Sequence, residues 1–583
     1  MKQKTILISI LIILILFGIF ARLISLNNDY TAEETEFTRA ASALKNTGHP
    51  IFYQSQLHSD KLGLWHPPMY IFLLSVVFLF IENEISARLI NIIFSLLTSI
   101  LIYMFCTSLL TFNKDNKYNK ENKEKGKIIG LISSAFFLFN YYILSSSVLI
   151  DIDALSMFFV FLFVFSILKH QQTKSNLFIL IAIISLFFSI WNRYPIAFLV
   201  YVGIGLYYLF NKELRKDFAK YFLVGLISGL LFLLSWGIYS TIIEPGTFFS
   251  FLSHNVSLGT EQLSNPSIYI LSFLLNISQF IRLFTFPATI LMLLSYFYLI
   301  PKKKEKGKRS KIINILAIYT LIIITFFLFV PRPAFGYPRY FLSIFPGISI
   351  LIGILIYETI NNKQTNNQLS KKEILILIIS FIISIILLLL LTPQPTIYYS
   401  KGLIQSTNIP DFLFNLFATL PLLFVLFTKR SLRRIAIIVL LALVLSYSLY
   451  FDYKFITYES HIKEVGLYIH ERTNENSVVI VPNAVGHYTQ RKFYNNDNNK
   501  PRLDFSYSYL NEYFTKSLDN RNMNDPFFWP NEEGIYSGLY LPGILTEDLN
   551  NIEYVVKYYE VNEEGVELEK RMGEFYIYKI NNL

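Results

Sequence analysis

The sequence predicts a mainly α, polytopic membrane protein that carries a small C-terminal α/β domain. Three observations predict it. The 583 residues are 53% hydrophobic, with a mean hydropathy of +0.44. Their apolar residues come in long unbroken runs, and a run of about twenty crosses a bilayer as a helix. The excess of basic residues, net charge +10, sits in short linkers between those runs.

The first run, Thr5 to Ala21, follows Lys2 and Lys4. No small-residue cleavage site follows it, so it reads as a retained first helix. Basic or polar linkers occur at 113–127, 170–176, 211–220, 301–311, 361–372 and 429–434. Placing all six in the cytoplasm gives a consistent alternation. The loops 27–65, 146–153, 191–195, 244–266, 331–339 and 392–411 then face outside. Met69 to Ile81 is short for a span and is followed by Glu82, Asn83 and Glu84. It reads as an interfacial or re-entrant segment, and 268–281 is a second candidate of that kind. The outcome is roughly thirteen spans, with the N-terminus cytoplasmic and the C-terminus extracytoplasmic, in a plasma membrane. The membrane domain covers 1–453, including a first outer loop at 27–84.

Residues 454–583 form the second domain. They are rich in Asn, Glu, Asp, Lys and Tyr and hold no run of spanning length. His461 to Arg472 has helical spacing, with Ile462, Val465 and Ile469 on one side. Ser477 to Val481, Ile552 to Tyr559 and Gly573 to Ile580 read as strands. The single cysteine, Cys106, excludes an intramolecular disulfide and a cysteine-cluster metal site. The clustering of the basic charge in linkers follows the positive-inside trend and gives no sign of a nucleic-acid partner.

With this topology the outer acids gather at one membrane face. In the first outer loop, Glu33 and Glu34 precede a stretch with Phe37, Ala40, Ala41 and Leu44 at helical spacing. Thr31 with Glu34 fits a capping box. Capping does not explain Glu33, and an acid there suits general-base work on an acceptor hydroxyl or amine. Asp151 and Asp153 join two apolar runs. Either one fits a helix cap. As an i, i+2 pair they also fit a divalent cation, if one is used, or sugar hydroxyls. Trp65-His66-Pro67-Pro68-Met69-Tyr70 leads into the interfacial segment, with the prolines fixing an extended approach. Arg88 opens the next span, where snorkelling is the plain reading. Arg193 and Arg339, beside Tyr194 and Tyr340, also lie at outer edges, against the positive-inside trend. Arginines there suit an anion such as a phosphate at headgroup level.

These residues make the chain similar to the membrane-embedded GT-C glycosyltransferases that use polyprenyl-phosphate sugars. It lies close to the protein O-mannosyltransferase and aminoarabinose-transferase families (glycosyltransferase family 39-like). The resemblance rests on Glu33-Glu34-Thr35-Glu36-Phe37 with Ala40 and Ala41, on His66-Pro67-Pro68-Met69-Tyr70 with Arg88, and on Asp153. Arg193 with Pro195, and Arg339-Tyr340 with Pro346, match more loosely. The sequence departs from the family in having Glu33 where aspartate is usual, and His66 or Arg193 where lysine occurs.

The resemblance implies an inverting transfer from a polyprenyl- or dolichyl-phosphate sugar to a protein, lipid or glycan acceptor at the outer face. Glu33, with Glu34 and Asp153, would carry catalysis. Asp151, His66, Tyr70, Arg88, Arg193, Arg339 and Tyr340 would bind substrate. It names no certain cofactor, and a divalent cation at Asp151 and Asp153 is the one candidate. The rival readings are a lipid-linked-sugar transporter or flippase and a membrane scaffold. Spans nearly free of charge at their centres favour chemistry at the surface over passage.

Overall fold

In the computed structural model, the residues described are 2–24, 26, 29–30, 32–49, 68–110, 120–243, 273, 280, 286–299, 308–329, 338–361, 397–398, 403–404, 437, 439–446, 448–449, 461–495, 551–557, 566–573 and 575–580. The membrane part begins with α1 (Lys2–Ile24), followed by α2 (Ala32–Thr47), α3 (Met69–Phe78), α4 (Glu84–Leu109), α5 (Lys120–Leu138), α6 (Tyr141–Val148), α7 (Asp153–Thr173) and α8 (Asn176–Phe210). It continues with α9 (Phe218–Phe232), α10 (Ile238–Ile243), α11 (Phe286–Leu299), α12 (Lys308–Phe329) and α13 (Phe345–Asn361). Among the described residues, six helices are long and apolar enough to cross a bilayer, or seven if the bent α5–α6 pair is one span. The chain is a multi-pass membrane protein. Several runs expected from the sequence, such as 374–391, fall outside the described residues. So do Thr31 and His66.

Helix α7 is apolar on every side and buried almost throughout, with α4 and α8 packed around it. A helix without a polar face belongs in the middle of a bundle. Helix α3 has only ten residues, about 15 Å of rise, half the hydrocarbon thickness. That fits the expected non-crossing segment. The helix α5 starts at Lys120, inside the linker expected at 113–127. Lys and Glu are good helix formers, so the helix extends past the apolar run.

Breaks in the helices set the geometry. At Phe139 and Asn140 the chain bends by 66° between α5 and α6. The Asn140 side chain accepts from the Tyr142 and Ile143 amides at 3.0 and 3.4 Å. The buried Arg22 of α1 donates to the Leu138 carbonyl left free by the end of α5. Within α8, Arg193 has φ −152° and ψ 75°, two residues before Pro195. There the chain folds back. Tyr221 and Ser228 of α9 are about 10 Å apart along their helix. Yet Tyr221 stacks on Tyr208 while the Ser228 hydroxyl donates to the Ile183 carbonyl. In a straight helix, residues 183 and 208 would be about 37 Å apart. The outer reversal expected at 191–195 is therefore a helical hairpin with its tip at Arg193.

The C-terminal part comprises α14 (Ile462–Arg472), β1 (Val478–Val481), α15 (Asn483–Thr489), β2 (Lys492–Asn495), β3 (Ile552–Lys557), β4 (Val566–Met572) and β5 (Phe575–Ile580). The sheet order is β2-β1-β3-β5-β4. Strands β1, β2 and β3 run parallel, and β5 pairs antiparallel with both β3 and β4. Strand β1, between β2 and β3, is buried along its whole length, as parallel strands covered on both faces require. The helix and three strands read from the sequence are present, with β3 ending at Lys557. The sequence reading did not separate β2, β4 or α15. Strand β4 is largely exposed and charged, so it lacks the alternating pattern of a half-buried strand.

Close helix contacts rest on small residues, as membrane packing requires. A Cβ added at Gly353 of α13 would overlap the Ser133 hydroxyl of α5 and meet the Ile129 carbonyl at 3.2 Å. Gly353→Val should lower stability by about 1–3 kcal/mol, read as a lower melting temperature of the purified protein. An unchanged melting curve would mean that α5 and α13 are not in this contact.

Candidate active site

The first turns of α2, α4 and α7 and the tip of the α8 hairpin converge on the turn at 149–153. Glu34 is in the first turn of α2 and Arg88 in the second turn of α4, and both side chains are 1% exposed. They form a two-pronged pair. Arg88 Nε donates to Glu34 Oε1 and Nη2 to Oε2, both at 3.1 Å. Arg88 Nη1 also donates to the Leu26 carbonyl at 3.0 Å, and Nη2 to the Asp29 carbonyl at 2.9 Å. Glu34 Oε1 accepts in addition from the Ile150 amide at 3.0 Å. One carboxylate thus ties α2, the start of α4 and the 149–153 turn together.

The turn is held from its other sides as well. The Asn91 side-chain amide, one helical step beyond Arg88, donates to the Leu149 carbonyl and, at 2.7 Å, to the Asp151 carbonyl. The Asn192 amide donates to the Ile152 carbonyl at 2.8 Å. Arg193 at the hairpin tip pairs with the Asp153 carboxylate, and both are buried. Neither aspartate is a conventional N-cap. Ile152 occupies that position without a side-chain bond, and Asp153 is the first helical residue. Asp151 accepts from the next amide, Ile152 N, at 2.5 Å.

Tyr70 of α3 is fully buried, with its ring edge-on to Phe37 of α2 at 5.4 Å. Its hydroxyl has no hydrogen-bond partner among the described residues. Burial, with the nearby charges of Asp151 and Glu34, pushes its phenol well above the usual range. Tyr70 is therefore a neutral hydroxyl beside the acids.

The structure thus gathers Glu34, Arg88, Asp151, Asp153, Arg193 and Tyr70. Glu33 precedes Glu34 in α2, and its side chain lies outside the described residues. So do the side chains of Arg339 and Tyr340, whose backbone forms a 3₁₀ turn at 338–344. Snorkelling does not describe Arg88. Its guanidinium is turned inward, onto a buried carboxylate and the Leu26 and Asp29 carbonyls of the segment between α1 and α2. Asn91 and Asn192 were missed in the sequence. Their signal was a polar residue three positions from Arg88 and another adjacent to Arg193, on otherwise apolar helices.

The donor set at 151 and 153 fits a divalent cation poorly. Asp153 already has a buried arginine at its carboxylate, and no group of three His, Cys, Asp or Glu gathers among the described residues. No step through a metal is drawn.

Removing one partner of a buried pair leaves an unbalanced charge, at a cost of about 3–5 kcal/mol. Arg88→Leu should therefore unfold or strongly destabilise the protein. The double change Glu34→Gln with Arg88→Leu should cost less than the two single changes summed. Additive melting shifts across that cycle would show that the two side chains do not interact.

No protein-family model matches the chain. No curated protein matches it in sequence. Solved structures do match. The crystal structure of ArnT from Cupriavidus metallidurans bound to undecaprenyl phosphate is 12% identical, with 85% of each chain covered and a TM-score of 0.55. The apo structure of the same protein is 13% identical, with 83% of this chain and 85% of that one covered and a TM-score of 0.54. The chain shares the overall fold of these structures.

Proposed function

We propose that the chain is an inverting glycosyltransferase that takes its sugar from a polyprenyl- or dolichyl-phosphate donor at the outer face of the plasma membrane. The observation that carries this reading is the buried constellation of acids and arginines on the 149–153 turn. It lies within a fold shared with a structure bound to undecaprenyl phosphate.

In the proposed reaction Glu33 takes the proton from an acceptor hydroxyl or amine. The freed electron pair forms a bond to the anomeric carbon on the face opposite the phosphate. The bond from that carbon to the phosphate oxygen breaks, and its electron pair leaves on the lipid phosphate. Glu34, fixed by Arg88, sets the start of α2 and with it the place of Glu33. Asp151 and the neutral Tyr70 hydroxyl orient the acceptor or the sugar. His66, Arg339 and Tyr340 are the proposed phosphate contacts, since a cation there would stabilise the charge that develops on the leaving group. Arg193 is assigned to Asp153, its buried partner, and through it to the acceptor side.

The test uses the lipid-phosphate-sugar fraction extracted from cells that lack the gene. Given to the purified full chain in vesicles with a membrane extract as acceptor source, it should yield free polyprenyl phosphate and a glycosylated acceptor. Glu33→Gln should lower that turnover by about 10²–10⁴-fold, the range a general base supplies, with insertion unchanged. Movement of intact donor between leaflets with no free phosphate released would establish a flippase instead.

The orientation has its own test. Cys106 is buried and is the sole cysteine of the chain, so Cys106→Ser gives a background for labelling. In that background Lys570→Cys should react with an impermeant thiol reagent on intact cells, and Gly307→Cys only after lysis. The opposite pattern would invert the topology and remove the outer-face reaction.

A further inference from the structure

The C-terminal unit reaches the buried pair through two residues. Asp29 and Tyr30 precede α2 and are contacted on both sides. On the membrane side, the Asp29 carbonyl accepts from Arg88 Nη2 at 2.9 Å, and the Arg88 guanidinium lies 5.5 Å from the Tyr30 ring centre. On the outer side, Asp29 Oδ2 accepts from the Lys463 amide at the start of α14, at 3.0 Å. The Tyr30 amide donates to the Tyr488 hydroxyl of α15, at 3.0 Å. That hydroxyl in turn donates to Glu84 Oε1 at 3.1 Å, and Lys463 Nζ bonds the same oxygen at 2.9 Å. The Tyr30 ring stacks on Tyr488 at 5.9 Å and meets His487 edge-on at 5.1 Å.

Tyr30 and Tyr488 are both buried. Burial, with Arg39 adding to it, pushes the His487 imidazole down to about 4. It therefore packs as a neutral ring and adds no charge against Lys463 or Arg88. The contact joins residues more than 400 positions apart. It lands on the two residues that bracket Arg88, rather than on an arbitrary part of the outer loop.

We propose that Tyr488 and Lys463 are positioning residues for the active site. Held against the membrane part, they fix Asp29 and Tyr30, which seat Arg88, which seats Glu34 at the start of α2. The outer unit is then part of the reaction machinery in the sense of placement, with no contact of its own to the reacting atoms. This rests on the reading of the chain as a glycosyltransferase.

Tyr488→Phe keeps the ring packing. It removes the acceptor for the Tyr30 amide and the donor to Glu84. In the turnover assay above, with the extracted lipid-phosphate-sugar fraction as donor, kcat should fall about tenfold, in the range that small misplacements cost. KM for the donor should stay within about twofold, because a positioning fault acts on the chemical step. Lys463→Met, which removes the ammonium that pairs with the Glu84 carboxylate, should act in the same direction and serves if Tyr488→Phe does not accumulate. Ser477→Ala is the control. It deletes a 2.6 Å bond to Glu553 of β3, past the C-terminal end of α14, whereas Asp29 is met at the N-terminal end of that helix. It should lower the melting temperature while leaving kcat unchanged.

A wild-type kcat in both Tyr488→Phe and Lys463→Met would overturn the proposal, as would a loss confined to KM. An equal loss of kcat in Ser477→Ala would also overturn it, since general loosening would then be the cause. If the wild-type chain itself releases no polyprenyl phosphate, the failure lies with the glycosyltransferase reading instead.

Discussion

A charged side chain is costly to bury inside a protein without a partner. Desolvating an ion costs several kcal/mol even after relaxation, and only a well-made pair with its remaining donors satisfied offsets that cost. Glu34 and Arg88, each 1% exposed, meet that constraint together. Both prongs of the guanidinium are used, its other donors go to the Leu26 and Asp29 carbonyls, and the carboxylate takes a further amide from Ile150. Three separate pieces of chain must be in register for this to happen. The pair therefore fixes where α2 starts relative to α4 and the 149–153 turn, and everything assigned to the site depends on that register.

The same logic explains the irregular backbone around the site. Where helices break near apolar surroundings, the freed amides and carbonyls need partners from within the protein. Asn140 and Arg22 serve the bend between α5 and α6. Asn91 and Asn192 serve the turn before α7. At the hairpin tip in α8, the break that reverses the chain also delivers Arg193 to Asp153. Asn91, Asn140, Asn192 and Arg193 each have a structural duty in these apolar surroundings, and three of those duties meet around the 149–153 turn.

The C-terminal α/β unit follows a different economy. Its core is a parallel β1–β3 centre covered by α14 and α15. Its β4 edge is exposed and charged, which discourages pairing with a foreign strand. The Gly466 position in α14 has no room for a Cβ against Tyr488 and the Val485 carbonyl. The two helices that meet the membrane part are thereby locked to each other before they meet it, so a rigid face bearing Lys463 and Tyr488 is presented to Asp29 and Tyr30.

Much of this was legible in the amino-acid order. Run length and lysine placement specify a polytopic membrane protein, because spanning a bilayer demands about twenty apolar residues whatever the fold. The short α3, the reversal near Arg193, and α14 with β1, β3 and β5 follow from local period and length. The acids at 33, 34, 151 and 153 stood out because ions near apolar runs are expensive. What sequence could not decide was pairing. Whether Arg88 snorkels outward or turns inward to Glu34 depends on a carboxylate 54 residues earlier being brought beside it. Whether Tyr488 and Lys463 matter to the site depends on a docking across more than 400 residues. Local propensity carries no record of such distances. Only the tertiary structure, in which a buried charge must find a partner, settles which of the candidate charges stand together.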